Sequence, residues 1–114
     1  MPKTYRVVWA PAAINDLDEI VEFIAAREGA VTARRLSEQI AARIETLTMH
    51  PTRGRIVPEL KQFGIKDYRE LIVRPYRVFF RIMKQDVGIV GVLDGRRDLE
   101  ELLVNRALEL DEAP

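Results

Sequence analysis

The stretch DYRELIVRPYRVFFRIMKQDVGIVGVLDGRRDL, residues 67–99, decides the fold of this chain. Over 76–83 the side chains alternate, and successive residues of a strand point to opposite faces of a sheet. The apolar set consists of Tyr76, Val78, Phe80 and Ile82. In the other set, Phe79 lies between Arg77 and Arg81. The pattern therefore predicts a strand that buries one face and presents two arginines and a phenylalanine on the other, where we expect function.

Two further strands and a helix are predicted around this one. The strands cover 67–73 and 87–93, and the turns Arg74-Pro75 and Gln85-Asp86 separate them from 76–83. The run 87–93 is apolar on both faces, which is typical of a strand inside a sheet. Asp98 and the glutamate three residues later form a capping-box pattern, and the apolar stripe that follows predicts a helix from about Leu99 to Leu110.

The N-terminal half adds a short strand and two helices. Alternation predicts a strand over 4–9, and apolar stripes of helical period predict helices over about 11–27 and 31–48. Gly29 lies between the two helices, so they form an αα-hairpin. The expected fold is α+β: an N-terminal strand, a helical hairpin, an antiparallel three-strand meander and a C-terminal helix. The sheet has about four strands, with the hairpin packed on one face.

Composition narrows the class of protein. A chain of 114 residues is expected to form one domain, 1–114, and nothing in it resembles a membrane span or a signal peptide. A cytoplasmic location is therefore the simplest interpretation. The absence of cysteine removes thiolate chemistry, and a single histidine, His50, argues against a histidine-based metal site or a Ser-His-Asp triad. We expect neither metal nor cofactor.

Charge is unevenly distributed along a chain that is neutral in total. Residues 53–97 carry 11 Lys/Arg and 5 Asp/Glu, whereas 98–114 carry 1 and 6. A basic centre favours an anionic partner, either nucleic acid or an acidic protein segment, although the acidic tail could simply balance the basic strands within the fold. Arginine suits both partners, because its planar fork donates two parallel hydrogen bonds to phosphate or carboxylate.

The order of these motifs resembles the RelE/ParE superfamily of bacterial type II toxins. The resemblance covers nearly the whole chain, from Tyr5 to about Leu110. The segments that carry it are Tyr68-Arg69-Glu70-Leu71, Tyr76-Arg77-Val78-Phe79-Phe80-Arg81 and Val92-Leu93-Asp94-Gly95-Arg96-Arg97-Asp98-Leu99. It implies a cognate antitoxin, normally encoded beside the toxin, as the protein partner.

Two branches of the superfamily differ in chemistry. The RelE-like branch cuts messenger RNA on the ribosome, and the resemblance then implies Arg77, Arg97 and Arg69 as phosphate-holding residues and Glu59 as a base. Members of that branch often use a tyrosine or histidine near the C-terminus, and here the last strand and helix contain neither. Arginine titrates too high to replace it as a proton-transfer group at neutral pH.

The ParE-like branch inhibits DNA gyrase without catalysis of its own, and the missing proton-transfer residues favour this branch. The expected function is growth inhibition through gyrase, with a ribosome-dependent mRNA endonuclease as the alternative. The residues expected to contact the target or the antitoxin are Arg69, Arg77, Phe79, Arg81, Arg96 and Arg97.

Overall fold

Five strands form one sheet in a computed structural model that describes residues 4–112. Their spatial order is β1 (Arg6–Trp9), β5 (Asp86–Asp94), β4 (Tyr76–Met83), β3 (Tyr68–Val73) and β2 (Arg55–Ile56). β1 runs parallel to β5, and the other neighbours pair antiparallel. The α+β prediction and the three-strand meander are confirmed. The estimate of about four strands misses β2, whose two residues are too short to show a period.

Four helices accompany the sheet: α1 (Pro11–Glu28), α2 (Ala30–Glu45), α3 (Pro58–Lys61) and α4 (Glu100–Glu112). Gly29 separates α1 from α2 with a positive φ of 97° that glycine adopts without steric cost, and its N–H donates to the carbonyl of Ala25. α2 ends earlier than predicted, because its last predicted turn is a 3-10 turn over Thr46–Thr48. No helix within residues 4–112 is both long and apolar enough to cross a membrane.

The hairpin of α1 and α2 covers one face of the sheet, as the sequence predicts. The apolar set of β4 points into this layer, where Val78 and Phe80 are fully buried. They meet Ala13 of α1 and Ile40 and Ile44 of α2 in a continuous cluster. Burial of this kind stabilises a fold by roughly 25 cal/mol per Å² of apolar surface, so the alternation of residues 76–83 fixes which face of β4 joins the main core.

A second apolar layer covers the opposite face, and here the sequence-based expectation is wrong. Phe79 is 1% exposed and Arg77 is 8% exposed, so neither is presented to solvent. They lie beneath α3 and α4, whose apolar side chains form a second cluster with Tyr68 and Phe79. The members of this cluster on the two helices are Leu60, Leu103 and Ala107. The stripe on α4 must be buried somewhere, and the arginine-bearing face of the meander is the surface that it covers.

A β-bulge interrupts β5 where it passes Phe79. Phe79 is opposite Gly91 but Phe80 is opposite Ile89, so Val90 is an extra residue on β5. β1 ends opposite Ile89, and the chain then turns into α1. The outer edge of β5 from Val90 to Asp94 therefore faces α1 rather than another strand.

Candidate functional site

Arg77 lies at the centre of a network of four charged side chains, in which Arg77 and Glu70 are buried, Glu59 is partly buried and Arg55 is exposed. The guanidinium of Arg77 binds both carboxylate oxygens of Glu59, with Nη1–Oε2 at 2.5 Å and Nη2–Oε1 at 2.7 Å. Its Nε donates to Glu70 at 2.6 Å, and the other oxygen of Glu70 accepts a hydrogen bond from Arg55 at 2.5 Å. Two arginines and two glutamates give the network no net charge, which is how a buried charge is tolerated.

The network is built by β4, β3, β2 and α3, each of which supplies one member. Arg77 is on β4, Glu70 on the adjacent strand β3, Arg55 on β2 and Glu59 in the first turn of α3. The guanidinium also lies 5.0 Å from the ring centre of Phe79. A side chain on Gly95 would collide with the stem of Arg77, since a Cβ there would lie 2.8 Å from its Cδ.

These contacts commit the charges of the network to one another. The hydrogen bonds that Arg77 donates to Glu59 lower the pKa of Glu59. Those that it donates to Glu59 and Glu70 raise the pKa of Arg77 against the opposing effect of burial. Glu59 therefore holds Arg77 as an ionised carboxylate, and a phosphate would have to displace a carboxylate to reach this guanidinium. Sequence reasoning named Arg77 and Glu59 as candidates, but it did not join Glu70 or Arg55 to them.

A second ion pair, which sequence reasoning missed, lies at the open edge of β5. Arg106 of α4 binds Asp16 of α1 through two bonds, of 2.6 Å and 2.8 Å. Asp16 also accepts the backbone N–H of Val92, and Arg106 donates to the carbonyl of Val90. The pair thus lies beside the bulge on the side of β5 that has no neighbouring strand. The hydrogen bonds that Arg106 donates to Asp16 raise the pKa of Arg106.

Two more of the predicted arginines stabilise neighbouring parts of the fold. Arg69 donates to the carbonyls of Thr52 and Gly54, at 3.3 Å and 2.7 Å, and so fixes the loop that leads into β2. Arg81 lies over the ring of Tyr68, 5.6 Å from its centre. Both side chains are only partly exposed.

Arg96 and Arg97 are the predicted site residues that face solvent. The Arg96 side chain is 74% exposed and pairs with Asp94, and this contact is the main reason that the pKa of Asp94 falls to about 2. Arg97 is exposed, and its side chain has no ion pair or hydrogen bond within residues 4–112. The structure therefore divides the predicted set into buried residues (Arg77 and Phe79), partly exposed residues (Arg69 and Arg81) and exposed residues at the end of β5 (Arg96 and Arg97).

A cleft beside the exposed pair runs between α1 and the end of β5. We call it the α1–β5 cleft. Its lining includes Ile20, Phe23, Arg27, Tyr76, Arg96 and Arg97. Phe23 is 58% exposed, with the guanidinium of Arg27 5.2 Å from its ring centre. An exposed aromatic ring beside arginines is the composition that protein–protein contacts favour.

Comparison with known proteins identifies the family. The sequence profile described as "ParE toxin of type II toxin-antitoxin system, parDE" matches residues 7–99. The chain belongs to the ParE toxin family. A curated ParE relative, Toxin ParE3 of Caulobacter vibrioides, is 28% identical over 94 residues, which are 82% of this chain and 90% of the relative.

Solved structures share the fold. A chain of the chromosomal ParDE toxin–antitoxin system from P. aeruginosa superposes with a TM-score of 0.68 at 19% identity, covering 80% of this ParE chain and 96% of the other. A chain of the toxin–antitoxin complex RelBE2 from Mycobacterium tuberculosis gives 0.53 at 22% identity, covering 81% and 92%. At these identities the likeness supports the fold alone. The family match ends at Leu99, directly before α4.

Proposed function

We propose that this ParE-family toxin arrests growth by inhibiting DNA gyrase, and that a cognate antitoxin neutralises it. Membership of the ParE family is the observation that carries the proposal. The state of Arg77 supports it, because the arginine that a RelE-like nuclease would aim at phosphate is here buried and bound to Glu59 and Glu70.

The chemistry of the exposed arginines also disfavours a nuclease. Arg97 could stabilise a developing negative charge. However, β5 and α4 supply no tyrosine or histidine that could move a proton beside it. A binding role requires no such group, so the exposed arginines suit recognition of a macromolecule better than cleavage of one.

The α1–β5 cleft is the surface that we assign to the target. Arg97 contributes a guanidinium that has no ion pair within residues 4–112. Phe23, on the α1 side of the cleft, contributes an exposed aromatic ring. Large, rigid aromatic and arginine side chains carry most of the free energy in protein–protein contacts. In this proposal Arg77 and Phe79 act indirectly, by holding β4 and α3 in place behind β5.

The test is gyrase supercoiling with the purified chain. We expect the chain to slow supercoiling and to accumulate cleaved DNA. Arg97→Ala should weaken both effects by about tenfold, the usual scale for an interface arginine. Arg34→Ala, which removes an exposed arginine of α2 that does not line the cleft, is the matched control. Unimpaired supercoiling, together with ribosome-dependent cleavage of mRNA, would refute the gyrase proposal in favour of the nuclease.

Neutralisation is tested separately in cells. Expression of the chain alone should stop growth, and co-expression of the short reading frame beside its gene should restore growth. If the neighbouring frame does not restore growth and does not co-purify with the chain, the antitoxin proposal fails while the gyrase result stands.

A further inference from the structure

A strongly basic cleft lies on the opposite edge of the sheet from the α1–β5 cleft. It is bordered by the end of α2, the turns that follow and the outer edge of β3. We call it the β3-edge cleft, and its lining consists of Arg43, Thr46, Leu47, His50, Arg53, Gly54, Arg55, Glu70, Leu71 and Ile72. Three of these residues are arginines, and Glu70 is the one acidic residue among them.

The positive charge of this cleft is not neutralised from within. The side chain of Glu70 is fully buried, and both of its oxygens are already bound, one by Arg55 and one by Arg77. Arg43 and Arg53 are exposed, and their side chains form no ion pair or hydrogen bond within residues 4–112. Two guanidinium groups are therefore available to an anionic partner.

The same cleft contains an open stretch of sheet edge. Tyr68 accepts a hydrogen bond from the N–H of Val57, so it directs its backbone groups toward β2. Alternate residues of a strand direct these groups to the same side, so Glu70 and Ile72 do so as well. Glu70 is opposite Arg55. Ile72 lies beyond the end of β2, and its N–H and C=O point into the cleft.

We infer that the β3-edge cleft binds a short, extended, acidic peptide segment of a partner protein. The segment's main chain would pair with the N–H and C=O of Ile72 and so continue the line of β2. Its carboxylates would bind Arg43 and Arg53. Addition of a strand to an open sheet edge draws affinity from main-chain hydrogen bonds and specificity from the side chains around it.

A peptide fits these features better than a nucleic acid does. A phosphate backbone would use the arginines and could accept the N–H of Ile72, but its phosphates offer no donor to the C=O of Ile72. His50 carries the one aromatic ring in the lining, so successive bases would find no row of rings to stack on. The acidic segment is therefore the occupant that uses both the charge and the open sheet edge.

The source of the segment rests on the proposed function, since an antitoxin is the expected partner of a type II toxin. The binding itself is measured on the isolated chain with a synthetic probe. A failure here would leave the gyrase and growth assays unaffected, and failure of those assays would leave this binding measurable.

The experiment titrates the full-length, isotope-labelled chain with the blocked peptide Glu-Thr-Glu-Val-Glu-Thr-Glu and follows its amide and arginine NMR signals. We expect shifts at the Ile72 amide and at the side chains of Arg43 and Arg53. Raising the salt from about 50 to about 300 mM should weaken binding several-fold, because exposed charge pairs are screened. A peptide with lysine in place of glutamate should not bind.

Charge reversal supplies the matched comparison. Arg43→Glu combined with Arg53→Glu should weaken binding at least about tenfold, whereas Arg34→Glu, on the same helix but outside the cleft, should change it less than about twofold. The absence of shifts at Ile72, or equal binding by the two variants, would overturn the inference. So would a DNA oligonucleotide that shifts the arginine signals where the peptide shifts none.

Discussion

Arg77 is present at the position expected of a phosphate-binding arginine, but its contacts within the fold leave it unavailable to a ligand. Its guanidinium meets two carboxylates and an aromatic ring, and its position under α3 leaves it 8% exposed. Pairing of this kind contributes little net stability compared with an apolar core, but removal of one partner leaves a buried charge without compensation. The side chain thus matters to the fold even if it never touches a target.

Substitution of Arg77 should therefore act on stability. We expect Arg77→Ala to lower the free energy of unfolding by about 3–5 kcal/mol, because Glu70 remains buried with half of its hydrogen bonds lost. Arg97→Ala, at an exposed position, should change it by less than about 0.5 kcal/mol. Urea unfolding followed by circular dichroism measures both. Equal stability of the two variants would show that the network around Arg77 is not needed by the fold.

Glu59 makes part of this stability depend on pH. Its pKa is lowered in the folded chain, chiefly by the hydrogen bonds from Arg77. The stabilisation is therefore complete above the ordinary glutamate pKa of 4.5 and is lost as the pH falls through the lower pKa of the folded state. Glu59→Gln should cost about 1 kcal/mol near neutrality, a value reduced for partial exposure.

The difference in stability between wild type and Glu59→Gln should shrink below pH 4.5, the ordinary pKa of this carboxyl. Thermal unfolding of wild type and Glu59→Gln between neutral and acid pH measures it. The exposed Glu38→Gln is the control and should follow wild type throughout. A difference that stays constant into acid would mean that the charge of Glu59 does not support the pair.

At the scale of elements, α4 buries the face of the sheet that lies opposite the α1–α2 hairpin. Leu103 is 4% exposed and packs in the cluster around Phe79, whereas its neighbour Leu102 is 38% exposed. Both residues are leucines of the same helix. Substitution of each therefore changes helix propensity equally, and any difference in stability comes from burial. The position of α4 therefore explains why the arginine-bearing face of β4 is closed.

Paired substitutions test this role of α4. Leu103→Ala should cost about 2–5 kcal/mol through lost burial and the cavity left behind, while Leu102→Ala should cost less than about 1 kcal/mol. Chemical denaturation curves of the two variants give the comparison. Similar costs for both would indicate that α4 does not pack on the sheet as described.

Periodicity predicted the individual elements well but could not show how the layers cover one another. The alternation in β4 gave its bounds, 76–83, and the correct inward face. Nothing in the alternation shows that α4 returns to cover the other face, because a stripe on a helix does not specify which surface receives it. The two residues of β2 and the extra residue Val90 in β5 also leave no periodic signal.

Some of the missed contacts did leave a signal in the sequence. Asp16 is three residues after Ala13 and four before Ile20, which places a carboxylate on the apolar face of α1. Arg106 is three residues after Leu103, on the apolar face of α4. A charge within a buried stripe requires a partner of opposite charge, so the pair could have been proposed from these two positions.

For the whole molecule, the sheet separates two apolar layers that depend on distant parts of the chain. The hairpin layer comes from residues 11–45 and the second layer from α3 and α4. The family match stops at Leu99, so the helix that closes the second layer lies outside it. Burial of Phe79 and Tyr68 therefore requires α4, a helix of 13 residues.

Truncation tests that dependence. A chain that ends at Leu99 should lose cooperative thermal unfolding and should bind a hydrophobic dye, because Phe79 and Tyr68 become exposed. A chain that ends after Glu112 should behave as the full chain does. Cooperative unfolding of the shorter chain at an unchanged temperature would show that the second layer is dispensable.

The pair between Asp16 and Arg106 joins residues 90 positions apart, and it sets an order of events during synthesis. Asp16 is made early, but its partner is the last arginine of the chain. Until Arg106 leaves the ribosome, Asp16 must stay hydrated or be buried as an unpaired charge, and the edge of β5 stays unfinished. The edge of β5 can therefore be completed only after residue 106 has emerged, so a shorter nascent chain does not yet present the finished surface.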